Sequence, residues 1–154
     1  MLPKSTVTNE SRKLRLFIDA DVLFAGSASP TEHAASITIL RMAEITLIDA
    51  LTSEQAITEA ERNLAKKLPA ALPTFQFLLD RCLTVVSAPS AVEVAEFTGL
   101  ADRKDLSILV AAIQYKCPLL VTFNVRHYRP GHYSISVLTP GEVIQRVRHS
   151  LAAL

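Results

Sequence analysis

Asp19 and Asp21 stand directly behind the short apolar run Leu16-Phe17-Ile18 and ahead of Val22-Leu23-Phe24. A run this short reads as a buried strand, and the periodic apolar pattern after it reads as a helix, so both acids fall at a strand-to-helix turn. In open parallel α/β sheets the ligand crevice lies beyond the carboxyl ends of the strands, where a projecting side chain meets a ligand without being buried in the core. Two carboxylates this close repel each other, and one takes up a proton unless a cation sits between them. A hard divalent ion of the Mg²⁺ type suits such oxygen ligands. The same two residues also satisfy a plainer reading, in which Asp19 ends the strand and Asp21 caps the helix.

Further acids fall at the same predicted edge or one turn beyond it. Glu59 and Glu61 lie in a helix after the second strand. Two residues apart, they diverge by roughly 200° around the axis, so at most one faces the crevice. Glu59 borders the apolar side formed by Ala56, Ala60 and Leu64, whereas Glu61 sits beside Arg62 as a solvated carboxylate would. Asp105 opens the apolar helix starting at Leu106, with Asp102 as its expected cap, which places Asp105 at the third helical position. A carboxylate there answers the free N–H groups of the first turn, and capping alone accounts for it. An acid entering a buried helix also lies near the crevice, away from bulk water. Asn124 follows the strand Leu119-Leu120-Val121-Thr122 after one Phe, where its amide can hold a metal-bound water or cap the next turn, supported by Thr122.

The elements that must position these groups alternate. Strands are predicted at Arg15 to Ile18, Ile45 to Ala50, Leu83 to Val86, Pro118 to Thr122 and Ile135 to Leu138. Helical spacing is predicted from Asp21, interrupted over Ser27 to Thr31 at Pro30, and resuming from Ala34 to Ala43. Thr52 or Ser53 caps a helix over Glu54 to Leu68 closed by Pro69. Others follow over Ala70 to Leu79, Pro89 to Phe97 ended by Gly99, Leu106 to Tyr115, and from Pro140 onward. Strands alternating with helices through short connections define a three-layer α/β/α sandwich with a mostly parallel central sheet of four to five strands. Residues 1–13 read as a polar tail and residues 14–150 as one domain.

At 154 residues with 49% apolar composition, the chain is long enough for one continuous core. No apolar run approaches the roughly 20 residues of a bilayer span. The polar opening lacks the apolar segment of a secretion signal, so a cytoplasmic location is expected and no membrane partner. Cys82 and Cys117 fit no metal or redox spacing and read as small buried hydrophobes. The net charge of +1 lacks the basic excess of a dedicated nucleic-acid binder. Local basic clusters occur at Arg126-His127-Tyr128-Arg129 and Arg146-Val147-Arg148-His149.

The order of these pieces resembles the PIN-domain nucleases, the fold of the VapC-type toxins of bacterial and archaeal toxin–antitoxin pairs. The resemblance runs from about Leu16 to Ile144. It is carried by Phe17-Ile18-Asp19-Ala20-Asp21-Val22-Leu23, by Ser53 with Glu59 and Leu64, by Lys104-Asp105-Leu106 leading into Ala111-Ala112, and by Leu120-Val121-Thr122-Phe123-Asn124. It implies that Asp19, Glu59 and Asp105 are the catalytic acids and hold one or two Mg²⁺ or Mn²⁺ ions, with Asp21, Thr122 and Asn124 in support. Asn124 stands where many members carry a fourth Asp, and Asp21 where Asn is commoner, which bears on a second metal. The implied activity is hydrolysis of single-stranded RNA, with an antitoxin protein and a second copy of the chain as partners. Arg126, Tyr128 and Arg129 are the candidate RNA contacts, against the alternative of an ordinary charged surface loop.

Two other readings compete. Asp19-Ala20-Asp21 also resembles the opening motif of haloacid-dehalogenase-type phosphatases, with Asp19 as nucleophile. That family needs a Gly-Asp-x-x-x-Asp element, whereas here Asp102 and Asp105 are one residue too close and Ala101 replaces the Gly. The other reading is a PIN-fold binding or regulatory module with a weakened site, motivated by Asn124 and the near-neutral charge.

Overall fold

The computed structural model describes residues 13–28 and 33–154. The predicted polar tail, apart from residue 13, and most of the interruption around Pro30 lie outside the described residues. In chain order the elements begin with β1 (Arg15–Ile18), α1 (Ala20–Ala28), α2 (Ala34–Glu44), β2 (Asp49–Ser53) and α3 (Glu54–Lys67). They continue with α4 (Leu72–Cys82), β3 (Thr84–Val86), α5 (Ala91–Ala95), α6 (Leu106–Gln114), β4 (Leu119–Val121), β5 (Ser136–Leu138) and α7 (Pro140–Ala152).

All five strands form one sheet in the order β3-β2-β1-β4-β5, and every neighbouring pair is parallel. β1 is therefore central, and its Leu16, Phe17 and Ile18 are fully buried. A strand covered on both faces reads as a continuous apolar run rather than an alternation, which is why β1 and β4 stand out in the sequence. Helices α1 to α4 pack on one another with α7 against α2, while α5 packs on α6 and α6 on β4. The chain leaves β1 toward β2 on one side and returns to β4 on the other, so the strand order reverses between β1 and β4. That reversal opens the crevice in which doubly wound sheets bind ligands.

The second strand departs from expectation. It spans Asp49–Ser53 rather than Ile45 to Ala50, because α2 runs on to Glu44 and ends in a tight turn with Thr46 at φ 64°. In that turn the Thr46 and Leu47 amides donate to the Ala43 and Met42 carbonyls, leaving Ile45 69% exposed. The β-branched pair Ile45-Thr46 is thus spent on a helix exit. Ser53 closes β2 and caps α3, its hydroxyl accepting from the Ala56 amide at 3.2 Å. Ala56, Ala60 and Leu64 form the buried face of α3, with Glu59 at its border and Glu61 exposed.

Candidate active site

Asp19 is placed by the sheet itself. Its amide donates to the Val121 carbonyl at 3.0 Å, extending the β1–β4 ladder one residue past the strand, and its carbonyl accepts from Val22 and Leu23 to start α1. The side chain is 6% exposed and hydrogen-bonded at both oxygens: Oδ1 accepts from the Ala20 amide at 2.7 Å and Oδ2 from the Tyr128 hydroxyl at 2.6 Å. A carboxylate held this way cannot rotate away from the crevice.

Asp21 is tied to the segment after β4. Its Oδ2 accepts from the Phe123 amide at 3.0 Å, the Asn124 Nδ2 at 3.1 Å and the Thr122 hydroxyl at 3.2 Å. Thr122 in turn accepts from the Asn124 amide at 3.0 Å, so Asp21, Thr122 and Asn124 form one network bridging the exits of β1 and β4. Burial raises the Asp21 carboxyl to about 7, helped by the negative charge of Asp19 and opposed by the hydrogen bonds from Phe123 and Thr122.

Glu59 and Asp105 come from separate segments, yet both respond to Asp19. Burial is the largest cause of the raised Glu59 pKa, followed by the charges of Asp19 and Asp105, while Lys104 and Arg62 oppose the rise. Asp105 is likewise raised, first by burial and then by Asp19, with His127 opposing. Glu59 and Asp105 therefore both lie in the field of Asp19, and both resist ionising there. Asp105 is 8% exposed, and its Oδ2 lies buried without a hydrogen-bond donor. His127 Nδ1 comes within 3.2 Å of that oxygen without hydrogen-bond alignment, a contact that is an ion pair only when the imidazole is protonated.

Asp105 differs in detail from its expected place. It is the residue before the first turn of α6, not the third helical position, and its side chain makes no cap. The Asp105 amide donates to the Asp102 carbonyl at 2.9 Å, and the carboxylate accepts from none of the first-turn amides. Capping therefore does not account for Asp105. Ligand atoms of Asp102, Asp105 and His127 lie within 4.8 Å of one another, the one such group of three among the described residues.

Tyr128 corrects one expectation. The sequence places it on an exposed loop as an RNA contact, but it is 1% exposed because a 3₁₀ turn over Val125–Tyr128 folds the ring into the core, with the hydroxyl on Asp19. Burial and the Asp19 charge push its pKa far above the usual phenol range. Arg126 and Arg129 flank it and are exposed. His127 does not stand out in the sequence as a site residue. The available signal is its place in the same short turn as Tyr128, directly after the β4 exit.

Two observations bear on a divalent cation at this edge: a buried Asp105 carboxylate oxygen with no donor, and Glu59 and Asp105 carboxyls whose ionisation is suppressed first by burial and then by the charge of Asp19. A hard cation relieves both. A parallel sheet with carboxylates gathered beyond the β1–β4 reversal defines an α/β protein with a polyacidic crevice, the arrangement used for cation-assisted chemistry on phosphates. The PIN-domain family pattern matches residues 15–126, and the chain belongs to that family, whose members are nucleases. The fold is similar to that of VapBC2 from Rickettsia felis, solved bound to a DNA fragment from their promoter, with a TM-score of 0.59 at 14% identity over 80% of this chain and 97% of that one. Among curated proteins, none matches the sequence.

Proposed function

We propose that the chain is a Mg²⁺- or Mn²⁺-dependent endoribonuclease that hydrolyses phosphodiester bonds of single-stranded RNA, acting as the toxin of a toxin–antitoxin pair. The observation that carries this reading is the buried, donor-free carboxylate oxygen of Asp105, with Asp19 fixed at the exit of the central strand and Glu59 near enough for both charges to act on it. These three would hold the cation, which when bound supplies an activated water and neutralises charge on the phosphate. Tyr128 keeps Asp19 oriented, and Asp21, through Thr122 and Asn124, clamps the β1 and β4 exits together. Arg126 and Arg129, exposed just past the site, supply positive charge for the RNA backbone.

PIN-domain membership and the likeness to VapBC2 support a protein partner of the antitoxin kind, and a cytoplasmic location goes with that role. No helix among the described residues is long and apolar enough to cross a membrane. A homodimer belongs to the same proposal; of the apolar residues of α7, Val143 is buried within the subunit, and Ile144 and Val147 are only partly covered by its core. The PIN-domain assignment leaves the phosphatase alternative without support. The weakened-module reading keeps one observation in its favour, since Asn124 is neutral and turns its amide to Asp21.

The test is cleavage of an end-labelled single-stranded RNA with Mn²⁺ or Mg²⁺ and with chelator. Metal-dependent cleavage by the wild type, abolished in Asp19→Asn, is expected. RNA binding without turnover under any divalent ion refutes the nuclease reading in favour of the module.

A further inference from the structure

Beside Glu59, α3 and the turn before α6 enclose an open cavity of about 670 Å³. Its walls include Gln55, Thr58, Glu59, Arg62, Asn63 and Lys104. The volume lies within the roughly 300–1,000 Å³ of ordinary ligand pockets. The lining is unlike an apolar small-molecule site: it carries two cations, two carboxylates (Glu54, and Glu59 of the proposed site), two amides and a hydroxyl.

Arg62 and Lys104 come from different elements, are both exposed, and belong to no ion pair among the described residues. Both act on the charge of Glu59, so the pair stands close to the acidic crevice while remaining open to an external anion. Gln55 is fixed differently. Its Oε1 accepts a hydrogen bond from the Ser107 hydroxyl of α6, and its Nε2 has no partner among the described residues. An amide anchored at its oxygen presents N–H donors in a set direction, which is what reading a base edge requires.

We propose that this cavity is a subsite for the nucleotide next to the scissile phosphate of a single-stranded RNA, with Arg62 and Lys104 on its flanking phosphates and Gln55 donating to its base. The proposal rests on the ribonuclease reading and deepens it. It divides the labour: the cations set affinity without regard to sequence, and Gln55 sets the preferred base through acceptor atoms on that base. A strand entering here meets Glu59 in the cavity wall, with Lys104 directly before Asp105 in the chain.

The test measures anisotropy of a fluorescein-labelled single-stranded RNA against the full-length Asp19→Asn protein with Mn²⁺, across a series of salt concentrations. Adding Arg62→Ala and Lys104→Ala is expected to weaken binding about tenfold near 0.1 M salt and to lower the log–log salt slope by about 1.4, at about 0.7 for each phosphate that is no longer neutralised. In the otherwise wild-type enzyme, Gln55→Ala is expected to redistribute cleavage sites in a random-sequence RNA pool, with the salt slope unchanged. An unchanged affinity and slope in the Arg62/Lys104 variant overturns the subsite, as does an unaltered cleavage pattern in Gln55→Ala. Mn²⁺ titration of the Arg62→Ala/Lys104→Ala protein in the wild-type background guards against a folding defect, and failure to bind Mn²⁺ there also counts against the proposal. An Asp19→Asn parent that binds no RNA, alongside a wild type that cleaves none, refutes the ribonuclease reading itself.

Discussion

Replacing Asp21 by Asn removes one buried negative charge while keeping an oxygen for the donors of Phe123, Thr122 and Asn124. In the folded, metal-free protein the Asp21 carboxyl titrates near 7 against a reference of 3.8. Between those values the native state holds a proton that the unfolded chain has released, so stability falls as pH rises through the window. At 1.36 kcal/mol per pH unit the interval corresponds to about 4 kcal/mol at most, less for the part of the side chain that water reaches. Full stability is present below pH 3.8, and the decline is complete above about pH 7. Glu59 and Asp105, also raised, push the wild-type curve the same way. Urea unfolding in chelator at pH 5 to 8 is the assay. The expected result is a wild-type midpoint that falls with pH and an Asp21→Asn midpoint that falls less, with the variant the more stable protein at pH 8. Parallel curves, or a variant less stable at pH 8, refute the account of Asp21 as a charge buried beside Asp19.

Tyr128→Phe deletes the only side-chain donor on Asp19 Oδ2 among the described residues, so unfolding in chelator should show a destabilisation of about 1.5–3 kcal/mol, the usual range for a hydrogen bond to a charged group. A cost below about 0.5 kcal/mol shows that the hydrogen bond is not made in solution. Ser53→Ala removes the cap of α3 and should cost about 1 kcal/mol, with Ser53→Asp restoring it. Equal stability of the alanine and aspartate variants would remove Ser53 from its role at the start of that helix.

Much of this arrangement is legible in the chain because the strongest local signals and the strongest tertiary constraints coincide. Leu16 to Ile18 and Leu119 to Val121 are apolar without alternation, and the only place such short runs fit is the covered centre of a parallel sheet. The polar residues just beyond them then mark the crevice. Ser53 and Pro69 bound α3 by local chemistry alone, and Glu59 follows from its phase on that helix.

The features that are hidden in the sequence are two local turns and one contact between distant segments. Ile45 and Thr46 have strand propensity, but the exit of α2 claims them, and the shift carries Leu51 to Ser53 into the sheet instead. Asp105 looks like a helix cap, yet its side chain makes no cap hydrogen bond. Tyr128 sits in a basic, outwardly polar run, and nothing local says that its ring turns inward to meet Asp19 from 109 residues earlier. For Tyr128 a tertiary partner outweighs a local preference.

The convergence of Asp19, Glu59 and Asp105 on one divalent ion is tested most directly by isothermal titration of Mn²⁺ into the metal-free wild type and into Asp19→Asn, Glu59→Gln and Asp105→Asn. The expected result is saturable binding to the folded wild type, weakened at least about tenfold in each variant, since each removes a charged ligand from a common hard-cation site. Wild-type protein that binds no Mn²⁺, or variants that bind it as the wild type does, would contradict the account.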